Sequence, residues 1–127
     1  LEPVFAYLMI AGKQYQDRKF AGYYNIGPAE QDCFQTGELV ELFVKHWGDG
    51  VKWSSRYDGG PHEANFLKLD CSRLKATFGW RPCWNLDQAM QKVVEWSKAW
   101  AANEDVRTVM DRQIRAYAED VNGFFIL

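Results

Sequence analysis

GGPHEANFLKLDCSRLKATFGWRPCWNLD, residues 59–87, is the stretch that decides how this chain folds. Its Gly-Gly-Pro opening predicts a loop over 58–65. Phe66 to Leu69 predicts a short strand. Ser72 is placed to cap a helix over 73–78. Gly79 is placed to stop it, because glycine enters the left-handed region at a helix end without a steric penalty. Trp80-Arg81-Pro82 then turns the chain. Asn85 and Gln88 have the spacing of a capping box, in which each side chain satisfies the other residue's backbone N–H. Beyond them Leu86, Ala89, Met90, Val93, Trp96 and Trp100 form an apolar stripe at helical spacing.

Upstream, Val4, Leu8, Ala11 and Tyr15 recur at helical spacing, with Pro3 in a first turn that tolerates it, so residues 2–16 read as a helix. Residues 20–26, Phe-Ala-Gly-Tyr-Tyr-Asn-Ile, read as a strand ended by Gly27-Pro28. Thr36 is a candidate cap for a helix over 37–47 carrying Leu39, Leu42, Phe43 and Trp47, with Gly48 as its stop. Residues 51–57 alternate enough for another strand. Two strands flanking a helix permit a parallel crossover. Downstream, Asn103-Glu104-Asp105 restarts a last helix with Val106, Val109, Met110, Ile114 and Tyr117. Residues 121–127 are set apart as an apolar tail, after a segment spanning 1–120.

The chain has 127 residues, enough for one domain with a real core. Sixteen per cent of them are aromatic, which argues against disorder. Fifteen basic residues against seventeen acidic ones give a net charge of −2 with no basic block, which gives nucleic acid little support. No apolar run has the length of a membrane span. Leu1 is not an initiating Met, and no positively charged leader precedes the apolar start; the expectation is a piece of something longer, not a secretory precursor. Cys33, Cys71 and Cys83 lack any Cys-x-x-Cys pair or zinc-type spacing with His46 or His62. Three unpaired thiols suit a cytoplasmic protein without a metal site.

The order of several short motifs resembles the C-terminal part of nucleotide-sugar enzymes of the extended short-chain dehydrogenase/reductase class. Leu1-Glu2-Pro3 with Tyr7-Leu8 is similar to a helix start in that class, and Tyr24-Asn25-Ile26-Gly27-Pro28 to its strand ending in Asn-x-Gly. Gly79-Trp80-Arg81-Pro82, Trp84-Asn85-Leu86 and Val94-Glu95-Trp96 resemble its closing helix signature. Pro61-His62-Glu63-Ala64 followed by Leu67-Lys68-Leu69-Asp70-Cys71-Ser72 is most similar to the CDP-glucose 4,6-dehydratase family. The resemblance implies an α/β parent, with this chain as its helix-rich, C-terminal substrate lobe and the NAD-binding Rossmann half absent. It implies a homo-oligomeric lyase acting on a nucleotide sugar, CDP-glucose first, with NAD as cofactor. Two alternatives stay open: a segment of an enzyme for a UDP-, GDP- or dTDP-sugar, and a non-catalytic interaction module.

Three residues carry the substrate reading that the resemblance implies. Glu63 matches an acidic residue that contacts the nucleotide ribose; a carboxylate suits vicinal hydroxyls because it accepts two hydrogen bonds. His62, beside it, is placed for the sugar or a phosphate. Asn25 lies at a strand end of the kind that faces the sugar pocket. The arginine that many relatives carry before the acid is replaced here by Asp58-Gly59-Gly60, with Arg56 as a displaced substitute. No residue is assigned a catalytic role. The sequence has no glycine-rich turn after a strand for a dinucleotide. Tyr15-Gln16-Asp17-Arg18-Lys19 matches a Tyr-x-x-x-Lys pattern only by chance, since it closes the first helix and has no Ser or Thr partner.

Overall fold

In a computed structural model, residues 1–56 and 68–125 are described, with side chains through Asn122. Among the described residues five helices follow one another: α1 Glu2–Gln16, α2 Thr36–Trp47, α3 Ser72–Phe78, α4 Leu86–Ala101 and α5 Val106–Phe125. Short 3-10 turns at Arg18–Phe20 and Glu30–Asp32 join α1 to α2.

The helix ends follow the local chemistry. Asn85 Oδ1 accepts from Gln88 N at 2.9 Å and Gln88 Oε1 accepts from Asn85 N at 3.0 Å, the reciprocal box that the spacing calls for. Gly79 ends α3 at φ 65° and Gly48 ends α2 at φ 71°. Asp105 opens α5, its carboxylate accepting from Arg107 N at 3.0 Å and Thr108 Oγ1 at 2.9 Å. At two helix starts the expected cap shifts by one residue. Thr36 lies inside α2, whose Glu38 side chain accepts from Gln35 N at 2.7 Å. Ser72 lies inside α3, because Asp70 Oδ1 accepts its N–H at 2.8 Å and pulls it into the first turn. α5 runs on to Phe125, into the stretch set apart as a tail, and Val121 is buried.

The strands expected at 20–26 and 51–57 are not found among the described residues. Phe20 closes a 3-10 turn instead, and neither 21–29 nor 51–56 is helix or strand. A strand exists only by pairing, and neither segment has a ladder partner among the described residues. Tyr57, the loop over 58–65 and the first half of the 66–69 strand lie outside the described residues; Lys68 and Leu69 are in no strand.

Among the described residues two small cores join α1, α3 and α5. In the first, Ala6, Leu74 and Trp80 are buried, with Phe5, Met9, Ile10, Tyr24, Ile26 and Phe78 packed on them. In the second, Trp84, Tyr117 and Val121 are buried, and Phe5 reaches this one too. α4 is the central element, packing on α2 and on α5. That double role moves its buried residues off the expected stripe: Val94 and Ala99 are buried, while Val93 and Trp100 are exposed. His46 of α2 and Asp87 of α4 meet at 3.0 Å. Gln113 of α5 donates to the Lys92 carbonyl at 2.9 Å and to Glu95 at 3.1 Å, and Arg112 pairs with Glu95.

Candidate functional site

The described residues nearest in sequence to His62 and Glu63 are Arg56 and Lys68; His62 and Glu63 themselves lie outside the described residues. Two segments meet beside Lys68, residues 24–30 and 68–75. Asn25 Nδ2 donates to the Asp70 carbonyl at 3.0 Å, a contact spanning 45 positions. Two residues on, the backbone comes so close that a Cβ at Gly27 would stand 3.4 Å from Cys71 Sγ and 3.6 Å from Leu69 Cβ. Cys71 is buried, with its Sγ 3.6 Å from the Leu69 carbonyl. Arg73 lies over the Tyr24 ring at 5.1 Å, which ties α3 to the same segment.

A shallow cleft of about 340 Å³ opens between these segments. Glu30, Lys68, Asp70 and Lys75 bring two carboxylates and two ammonium groups to it. Lys68 pairs with Glu30. That contact holds the Glu30 carboxyl below its ordinary range and the Lys68 ammonium above its own. The Asp70 carboxyl is also held low, by its hydrogen bonds from the Ser72 side chain and backbone. All of these groups face water, so their pairing sets local shape more than stability. Chemically, the cleft offers fixed charge of both signs beside a backbone segment held by Asn25, and among its described residues no general base is poised on a nucleophile.

The structure brings Asn25 to the carbonyl of Asp70, and places Arg56 exposed. Asp70 helps start α3, the role its position suggests. The pairing of Lys68 with Glu30 has no local signature, since the two are 38 positions apart. The Tyr15 and Lys19 side chains form no dyad: Tyr15 is 94% exposed, and Lys19 Nζ sits 2.9 Å from Asp17 Oδ2.

A second constellation, which sequence reading did not single out, centres on Glu2. Its Oε1 accepts from Cys83 N at 2.9 Å and from Trp84 N at 2.6 Å. Its Oε2 accepts from the Tyr117 hydroxyl at 2.7 Å. Trp84 Nε1 donates to Asp120 Oδ2 at 2.7 Å. Burial first, then the Glu2 carboxylate, push the Tyr117 hydroxyl far above its ordinary pKa. Burial, with Glu2 and Asp120 behind it, raises the Cys83 thiol, which makes it a poor nucleophile. An apolar groove of about 500 Å³ lies beside this cluster, lined by Phe5, Phe78, Trp80 and Tyr117 among others. A wider groove of about 730 Å³ between α2 and the start of α4 carries Asp32, Glu38, Glu41 and Asp87 around Phe34 and Leu42. Among the described residues no His, Cys, Asp and Glu side chains gather in a group that could hold a metal ion, and no helix is long and apolar enough to cross a membrane.

No protein-family model matches the chain. Over 118 residues, 92% of its length, it is 36% identical to the CDP-glucose 4,6-dehydratase of Salmonella typhimurium strain LT2. That match makes the two chains relatives over the C-terminal part of the Salmonella protein. The chain spans about a third of the length of this curated relative, 33% of it.

Proposed function

We propose that the chain is the C-terminal, nucleotide-sugar-binding part of a CDP-glucose 4,6-dehydratase-like lyase, without dehydratase activity of its own. The observation that carries this reading is the 36% identity to one such enzyme across 92% of the chain. Glu63 takes the ribose hydroxyls, His62 lies beside it, and Asn25 lines the sugar side. The Asn25 bond to Asp70 supports that placement, because it fixes Asn25 against the segment that leads out of the 57–67 stretch.

NAD belongs to the parent and not to this chain. The residues present do not fit a dinucleotide: the described part has no strand leading into a glycine-rich helix start, and its glycines at 48, 50 and 79 serve turns and helix ends. On this reading the chain supplies substrate contacts to the parent. The parent is read as a homo-oligomer in the cytoplasm.

Amide-resolved NMR of the chain, titrated with CDP and then UDP, tests the reading. Shifts at Asn25, Lys68 and Asp70 with CDP, smaller ones with UDP, and loss of both in Glu63→Gln are expected. Equal shifts with UDP move the assignment to another nucleotide sugar. A dispersed spectrum indifferent to both nucleotides refutes a substrate role and leaves an interaction module.

A further inference from the structure

α2 turns one face toward the start of α4. Glu38, Glu41, Leu42 and Lys45 recur at i, i+3, i+4 and i+7 of the helix, so they share that face. Leu86 and Asp87, in the first turn of α4, form the facing wall, and Asp32 and Phe34, from the segment before α2, complete the lining. The groove between them, of about 730 Å³, is in the size range of pockets that enclose a ligand or a few side chains. Its floor is apolar. Leu42 and Leu86 are half-buried, and Phe34 is 47% exposed. A phenyl ring left half in water beside two leucines offers an anchor to an incoming apolar side chain.

The rim is acidic. Four carboxylates, Asp32, Glu38, Glu41 and Asp87, stand against one ammonium, Lys45. Two of the four serve the fold: Glu38 accepts from Gln35 N at 2.7 Å, and Asp87 meets His46 at 3.0 Å. The carboxylates of Asp32 and Glu41 have no partner among the described residues, Lys45 included. Like charges gathered round an apolar floor repel one another, and a cation brought among them relieves that repulsion. An occupant that fits both features is apolar at its centre and cationic at its flanks. The stretches of this chain whose side chains lie outside the described residues do not have that chemistry: residues 57–67 carry Asp58 and Glu63 and no lysine or arginine, and residues 123–127 carry no charged side chain. A second copy brings the same net charge of −2.

We propose that the groove between α2 and the start of α4 is a docking site for a short basic segment of another protein, whose apolar side chain seats on Phe34, Leu42 and Leu86 while flanking lysines or arginines meet Asp32 and Glu41. Apolar contact supplies the anchor, and the charges select the partner and speed its arrival. No residue of the groove is among those assigned to the nucleotide, so this site and the CDP site can fail separately.

Fluorescence anisotropy with a labelled hexapeptide, Leu-Phe between two Lys-Lys pairs, tests it. The peptide is titrated into the chain and into a chimera in which the chain replaces the matched C-terminal part of the Salmonella enzyme. Saturable binding is expected in both, weakening several-fold as salt rises from about 50 to about 200 mM. Asp32→Asn with Glu41→Gln should weaken it at least about tenfold, and Phe34→Ser by a similar factor. Asp111→Asn with Glu119→Gln removes the same two charges from the outer side of α5, away from the groove, and should leave binding unchanged. Circular dichroism confirms that each variant keeps its helices. A peptide with Glu-Glu flanks should not bind, and one with Gly-Gly at its centre should bind at least about tenfold more weakly. Absence of saturable binding overturns the proposal, as does a groove double variant that still binds or an α5 double variant that weakens binding equally. Equal binding of the Gly-Gly peptide reduces the effect to bulk charge and overturns it too. Binding to the chain that is lost in a folded chimera assigns the groove to the parent's own packing, and a dimer of the chain dispersed by Phe34→Ser assigns it to a second copy; either result refutes the basic partner.

Discussion

Tyr117 donates its hydroxyl to Oε2 of Glu2 at 2.7 Å, joining the last helix to the first across 115 positions. The other Glu2 oxygen holds the backbone N–H groups of Cys83 and Trp84, so one carboxylate ties three segments together. The Tyr117 ring also meets Trp84 edge-on at 4.9 Å and Phe5 at 5.9 Å. Only the carboxylate can receive all three donors, and hydrogen bonds to a charged acceptor are the stronger kind.

Glu2→Ala is therefore expected to destabilise the chain by about 2–4 kcal/mol, because it strands the buried Tyr117 hydroxyl and two backbone donors. Tyr117→Phe, which removes the donor cleanly, should cost about 1–2 kcal/mol. Urea unfolding of both variants and of the double variant gives their coupling. A coupling near zero would mean that the Glu2–Tyr117 bond contributes nothing to stability.

The raised Tyr117 pKa carries a pH signature. Unfolded tyrosine ionises near pH 10, whereas in the fold burial and the Glu2 carboxylate hold the proton on. The stabilisation is thus fully present below about pH 10 and is lost as pH rises beyond it. Unfolding midpoints of the unsubstituted chain should fall more steeply between about pH 9.5 and 11 than those of Tyr117→Phe. Parallel slopes would place the Tyr117 hydroxyl in water.

Gly48 and Gly79 both end helices, but they do not occupy the same backbone region. Gly79 sits at φ 65°, ψ 10°, the left-handed well that asparagine also tolerates. Gly48 sits at φ 71°, ψ −148°, a region that belongs almost wholly to glycine. No atom of the described residues crowds a Cβ at either position, so the costs are those of the backbone. Gly79→Ala should cost about 1 kcal/mol and Gly79→Asn less. Gly48→Ala and Gly48→Asn should each cost about 2–3 kcal/mol. Thermal unfolding of the four variants checks the order, and an asparagine that rescues position 48 as well as position 79 would refute it.

Helix punctuation was legible in the sequence because it is local. Gly48, Gly79, Asn85 and Asp105 act on groups within a few positions, so spacing alone reveals them. The strand at 20–26 was read from residue type, but a strand is a property of a pair, and the described chain contains no partner for it. The stripe Val4, Leu8, Ala11, Tyr15 was correctly periodic, but it is the exposed side of α1, since a helix apolar on both faces does not tell which one meets its own core. The Glu2 cluster stayed hidden because its partners lie 81 to 115 positions away. Asn25 could be singled out only through resemblance, and its bond to Asp70 has no local sequence signal.

Trp80 and Trp84 flank Pro82 and are both buried, at 1% and 7% exposure, yet their indole nitrogens fare differently. Trp84 Nε1 donates to Asp120, whereas Trp80 Nε1 has no hydrogen-bond partner among the described residues. A buried N–H without a partner costs about 1–3 kcal/mol. Phenylalanine at position 80 removes that deficit while giving up part of the ring's packing, and the two effects oppose each other. At position 84 phenylalanine loses packing and the bond to Asp120 together. Trp80→Phe should accordingly destabilise by less than about 1 kcal/mol and Trp84→Phe by about 2 kcal/mol, although Trp80 is the more deeply buried. Urea titration of the two variants decides it. Were Trp80→Phe the costlier change, ring volume would outweigh the stranded N–H, and the Trp80 indole nitrogen would have to find a partner in solution.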